Sequence, residues 1–133
     1  MKFYNDTTAT SPDATIVALS ALGSSKKNII LLAGGADKKL DYKGLAKEIK
    51  KYTKALILFK GEASDKIKTN IRTSDVQMLV ENILTMEEAV KIARENAKKG
   101  DIVLLSPGAA SFGVFKNEFD RGDRFRGIIK NIK

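Results

Sequence analysis

The chain contains no cysteine and no histidine, and these two gaps remove more chemistry than any other feature of its composition. Without cysteine there is no disulfide framework, no thiol nucleophile and no thiolate metal site. Without histidine there is no imidazole acid–base chemistry, no Ser-His-Asp triad and no ordinary zinc centre. Tryptophan is missing too, and the three tyrosines and six phenylalanines do not alternate with basic residues as a base-stacking platform would require. No apolar run approaches a membrane span, and the opening MKFYNDTTAT has no apolar signal-peptide core, so the expected location is the cytoplasm. A full Walker A loop and a GxGxxG fingerprint are also lacking. Carboxylates, lysines, hydroxyls and backbone groups are left to carry any function.

What is present fits one domain over residues 1–133, with 43% hydrophobic and 30% charged residues. The 24 basic against 16 acidic residues give a formal charge of +8, which favours anionic partners. Much of the excess lies in doublets such as Lys26-Lys27, Lys38-Lys39, Lys50-Lys51 and Lys98-Lys99. Near the ends of helices such lysines complement the helix dipole and keep a small domain in solution. Nucleic acid is therefore not the expected partner.

Apolar runs alternate with helical patterns along the whole chain. Lys2 to Asn5 reads as a first strand and Asp6 to Thr10 as a polar turn. Ser11-Pro12-Asp13 supplies an N-cap hydroxyl, a proline at the first helical position and an early acid. The helix after it has an apolar stripe at Ala14, Val17, Ala18, Ala21 and Leu22, closed by Gly23. Asn28 to Ala33 is an unbroken aliphatic run expected of a strand covered on both faces. It leads into Gly34-Gly35-Ala36-Asp37-Lys38, then a helix carrying Leu45, Ile49 and Tyr52. Ala55 to Phe59 is a third strand, ending at Lys60-Gly61, and Ala63, Ile67 and Ile71 mark a helix. Val76 to Val80 is a fourth strand, and Thr85 with Glu88 forms a capping box for a helix bearing Met86, Ala89, Val90, Ala93 and Ala97. After Gly100 comes a fifth strand, and the tail with Phe119, Phe125, Ile128, Ile129 and Ile132 reads as a last amphipathic helix.

This alternation predicts an α/β, Rossmann-like three-layer sandwich: a mostly parallel sheet of five to six strands with helices on both faces. Ligands in such sheets bind beyond the carboxyl ends of the strands. The polar and glycine-rich segments fall on that edge, above all Ser106 to Gly122, reading SPGAASFGVFKNEFDRG. There Ser106, Ser111, Lys116 and Asn117 offer donors. Lys38, beyond a double glycine, suits a carboxylate or phosphate as a point charge. Asp6 with Thr7, Thr8 and Thr10 suits a ribose, a magnesium-bound phosphate or an amino-acid carboxylate, and suits a simple Asx or ST turn equally well. The spacing of Phe115 and Phe119 favours core positions over ligand stacking.

Taken together, Asn5-Asp6-Thr7-Thr8-Ala9-Thr10, Leu31-Leu32-Ala33-Gly34-Gly35 with Lys38 and Asp41, and Ser106-Pro107-Gly108-Ala109-Ala110-Ser111-Phe112 with Phe115-Lys116-Asn117 and Arg121-Gly122 resemble the C-terminal domain of the Mur ligases. The likeness is greatest to the branch that adds D-glutamate to UDP-N-acetylmuramoyl-L-alanine in peptidoglycan biosynthesis. The resemblance implies the amino-acid-binding, cleft-closing domain of a three-domain cytoplasmic ligase, monomeric and away from membranes. It also implies that ATP and magnesium are bound mainly by a central domain, and the uridine nucleotide by an N-terminal one, neither being in these residues. The domain alone would not turn over, holding no catalytic group and no metal ligand of its own. In such a ligase a carboxylate is phosphorylated to an acyl phosphate, which the D-glutamate amine attacks. Carried over by motif, Lys38, Thr10 and Ser111 would contact the D-glutamate carboxylates, and Asp6, with Asn5 beside it, would face the nucleotide. The aromatic expected after Phe115-Lys116-Asn117 would be Phe119, or its place is taken by Glu118. Thr8 stands where the family often has lysine. Other readings are a related amide ligase acting on another amino acid or on folate, and a free-standing, non-catalytic α/β module that binds an anion or RNA.

Overall fold

The computed structural model describes residues 1–37, 39–111 and 114–132. Among these residues five strands form one parallel sheet: β1 (Lys2–Asn5), β2 (Ile29–Ala33), β3 (Thr53–Phe59), β4 (Met78–Ile83) and β5 (Ile102–Leu105). The helices described are α1 (Pro12–Leu22), α2 (Lys43–Tyr52), α3 (Glu62–Thr69), α4 (Met86–Asn96) and α5 (Glu118–Lys130), with a 3-10 turn at Thr73–Asp75. The expected three-layer α/β architecture is what forms, with five strands in the sheet.

The layers follow from the two-residue period of the strands. In β2, Ile29, Leu31 and Ala33 pack against Leu19 of α1, Leu45 and Ile49 of α2 and Ile67 of α3. The alternate residues, Ile30 and Leu32, pack against Met86, Ala89, Val90 and Ala93 of α4 and Phe125 of α5. Every residue of β2 is buried, which explains why its sequence is aliphatic without alternation. On the α4–α5 side Phe115 meets Phe59 edge to face, with ring centroids 5.3 Å apart.

The strand order is β1-β5-β2-β3-β4. From β2 the chain steps outward to β3 and β4, then returns to insert β5 between β1 and β2. That reversal is the switch point of the sheet, where ligand crevices form in open α/β folds. The loop after β5 is thereby flanked by the loops after β1 and β2.

Several sequence expectations need adjustment. The inward face of α1 is Pro12, Thr15 and Leu19, with Ile16, Ala18 and Leu22 packed beside it; of the expected stripe of Ala14, Val17, Ala18, Ala21 and Leu22, Val17 is 67% exposed. Thr15 enters the core because its hydroxyl has partners there: it donates to the Ser106 carbonyl at 3.0 Å. β4 begins at Met78 and runs to Ile83, two to three residues later than the Val76–Val80 reading. Val76 is buried against the α1–α3 side before the strand starts. α3 ends at Thr69, and Ile71 is buried from the segment that follows. Gly23 closes α1 in an extended conformation rather than a left-handed one. Phe119, expected in the core by its spacing, is 66% exposed.

Candidate functional site

The three switch-point loops are joined by backbone hydrogen bonds. The Asp6 amide donates to the Leu105 carbonyl (2.7 Å), and the Gly108 amide donates to the Ala9 carbonyl (2.8 Å). On the other flank the Gly34 amide donates to the Pro107 carbonyl (2.9 Å), and Ala36 and Ala110 form an antiparallel bridge with bonds of 2.9 and 3.1 Å. The loops after β1, β5 and β2 thus form one continuous rim.

Two glycines allow this closeness. Gly34 has φ +90° and Gly35 φ +140°, both in the region that side chains disfavour, and a Cβ on Gly35 would lie 2.5 Å from the Ala110 carbonyl oxygen. The Gly35 amide donates to Ser64 Oγ at 3.1 Å, and Ser64 in turn donates to the Phe59 carbonyl. The β2 loop is therefore fastened to the start of α3 as well as to the β5 loop.

The sequence-derived site residues are distributed around this rim. Ser111 is buried, and its Oγ has no hydrogen-bond partner among the described residues. A hydroxyl enclosed without a partner is costly unless something completes it. Thr10 is half-buried at the end of the β1 loop, its amide donating to the Thr8 carbonyl at 2.9 Å. Asp6 accepts from Ser106 Oγ through Oδ2 at 2.9 Å. Asn5 is spent on local structure: Nδ2 donates to the Gly122 carbonyl at 3.1 Å, and Oδ1 accepts from the Thr7 amide at 3.3 Å. Phe119 lies exposed on the first turn of α5, beside half-buried Glu118. Lys38 falls outside the described residues.

Two other candidate donors, Ser106 and Asn117, are spent on local structure. Ser106 is fully buried, with its Oγ near both Asp6 and Thr15 Oγ1 (3.1 Å). Asn117 is the N-cap of α5, accepting from the Asp120 amide at 2.8 Å. The Lys116 amide donates to Asp120 at 3.1 Å; that bond, ahead of the nearby Arg124 guanidinium, holds the Asp120 carboxyl below the usual range.

Beside the rim, Ala36, Asp37, Lys60, Gly61, Glu62, Leu84 and Val114 line a cavity of about 530 Å³. Asp37 pairs with Lys66 at 2.5 Å and accepts from the Leu40 amide at 3.2 Å. The Lys66 hydrogen bond is the main reason its carboxyl titrates below the ordinary aspartate value. The Asp37 charge adds to burial in pushing the Tyr42 phenol up to about 12, burial being the larger cause. Asp37 is thus paired with α3 through Lys66.

Arg121 enters the sequence reading only as part of the resemblance, with no role given to it. It is 1% exposed, and its guanidinium forks between two loops: Nε donates to Thr7 Oγ1 (3.0 Å), Nη2 to the Thr7 carbonyl (2.7 Å) and Nη1 to the Ala109 carbonyl (3.1 Å). Burial lowers its pKa to about 10, partly opposed by the charge of Glu118, so the group remains a cation at neutral pH. A buried arginine reads in sequence as a solvated charge. The available signal was its position four residues before Phe125, on the same helix face.

This assembled edge has close relatives. Residues 1–109 match the family described as Mur ligase, glutamate ligase domain. The chain is 46% identical over 133 residues to the UDP-N-acetylmuramoylalanine--D-glutamate ligase of Roseiflexus sp., covering 99% of this chain and 28% of that protein. Proteins of the same name from Clostridium tetani and Borreliella afzelii are each 42% identical, over 99% and 96% of this chain and 29% and 28% of their own lengths. The chain therefore spans less than a third of the curated relatives it matches. With most of its length inside the family profile, it belongs to the Mur ligases, as their glutamate ligase domain.

Proposed function

We propose that this chain is the amino-acid-binding, cleft-closing domain of a cytoplasmic ATP-dependent ligase that adds D-glutamate to UDP-N-acetylmuramoyl-L-alanine in peptidoglycan biosynthesis, and that it is inactive alone. The supporting observation is the buried Ser111 Oγ, without a hydrogen-bond partner among the described residues, on a loop bonded to both the loop ending at Thr10 and the loop leading to Lys38. A carboxylate of the amino acid would complete Ser111, while Lys38 and Thr10 hold it by charge and by hydroxyl. Fixing both carboxylates of a dianionic amino acid aims its amine at an acyl phosphate, and that orientation is the domain's contribution to rate. Phe119, on the exposed first turn of α5, would close over the bound amino acid.

Among the described residues no three carboxylates gather as a metal site. ATP and magnesium would be gripped mainly by another part of the ligase, with Asp6 facing the nucleotide across the cleft. They would supply the activated acyl group. The similarity to proteins named for D-glutamate ligation supports the choice of amino acid.

The test is a titration of the complete ligase with D- and L-glutamate. Preference for the D enantiomer, lost in Lys38→Ala, is the expected result. Equal binding of the enantiomers, or binding indifferent to Lys38→Ala, would refute the reading.

A further inference from the structure

We infer that Arg121 is a positioning residue for the amino-acid site, setting the separation between the loop that carries Thr10 and the loop that carries Ser111. This rests on the proposed site. Its three donor bonds divide between Thr7, on the first loop, and Ala109, on the second. Thr7 Oγ1, while accepting from Arg121, donates to the Glu118 carbonyl at 2.7 Å, so the first turn of α5 is tied into the same unit.

The packing leaves this unit little slack. A Cβ on Gly122 would sit 2.5 Å from Thr7 Cγ2, so α5 lies hard against the β1 loop at the residue after Arg121. Asn5 Nδ2 donates to the Gly122 carbonyl at 3.1 Å. Among the described residues Arg121 has no carboxylate within salt-bridge distance. Its charge is satisfied only by two carbonyls and a hydroxyl. A guanidinium is the one side chain with donors spread widely enough to reach both loops from a single buried position. Lysine would keep the charge and lose the fork. The buried cation also lends positive potential to the rim where the proposed dianion binds.

The experiment is steady-state kinetics on the complete ligase carrying Arg121→Lys, with Gly122→Ala as the second variant and thermal unfolding as the control for folding. Gly122→Ala pushes on Thr7 while leaving the charge untouched. Folded Arg121→Lys should raise KM for D-glutamate by about tenfold or more, with KM for ATP changed less than about twofold. Gly122→Ala should shift KM for D-glutamate in the same direction. If Arg121→Lys does not fold, Gly122→Ala decides alone. An unchanged KM for D-glutamate in the folded variants overturns the inference. Ser111→Ala run alongside separates the two claims: if it raises KM and the positioning variants do not, only the role of Arg121 fails. If Ser111→Ala also has no effect, the site itself is wrongly placed.

Discussion

Ser64 Oγ occupies the space that a side chain on Gly34 would need: a Cβ built there would overlap the hydroxyl, and Gly34 holds φ +90°. Two separate obstacles therefore guard this position. Gly34→Ala should destabilise the domain through both, the backbone part costing on the order of 1–3 kcal/mol. Adding Ser64→Gly should recover the steric part and leave the backbone part, which chemical denaturation of the single and double variants would resolve. If the losses of Gly34→Ala and Ser64→Gly simply added in the double variant, overlap with Ser64 would not be a source of the loss, since Ser64→Gly alone removes the Gly35 and Phe59 hydrogen bonds.

Thr15 is a core residue by virtue of its hydroxyl. Thr15→Val preserves shape but leaves the buried Ser106 carbonyl without its side-chain donor, so a loss of about 1–3 kcal/mol is expected. Ser20→Ala, on the exposed side of the same helix, should change stability by less than about 0.5 kcal/mol. Urea unfolding of the two variants makes the comparison.

The same helix gives a test of its orientation. Leu19→Ala should cost about 2–5 kcal/mol, because Leu19 is fully enclosed. Val17→Ala should be nearly neutral, because Val17 is 67% exposed. Equal losses would mean that the helix is turned differently.

These positions mark where the sequence was readable and where it was not. β2 and β5 were legible because strands covered on both faces need aliphatic residues throughout, and the Lys50-Lys51 doublet lies in the last turn of α2 as the dipole favours. The face of α1 was not, since Ala, Val and Leu make an apolar stripe without saying which part meets the sheet, while Thr15 hides its burial behind a polar side chain. β4 was misjudged because edge strands are only partly covered, and Met78, Leu79 and Val80 are each half-buried. At the site, the loops were found through their glycines and hydroxyls. Which hydroxyls are spent, as at Ser106, and which is left over, as at Ser111, depends on contacts about 100 residues apart that no local pattern encodes. Arg121 belongs to the same class.

Asp37 gives a pH dependence with a definite sign. Its carboxyl titrates below the ordinary aspartate value in the folded chain, chiefly because of Lys66. The unfolded chain therefore binds the proton first as pH falls. The stabilisation is fully present above the unfolded aspartate pKa and is lost as pH drops through the folded one. Asp37→Asn should flatten that part of the stability profile below about pH 4. An unaltered acid limb in the variant would assign the dependence to other carboxylates such as Asp120, which is lowered by a different set of bonds.

The most direct test of the central claim is KM for D-glutamate in the complete ligase carrying Ser111→Ala. Ser111 Oγ is the buried rim hydroxyl without a described partner, so its removal should relieve the free domain and cost the bound state. The expected result is a rise in KM for D-glutamate of about tenfold, with KM for ATP nearly unchanged and no loss of thermal stability. A KM for D-glutamate within about twofold of the parent, in a folded enzyme, would contradict the placement of the amino acid on this rim.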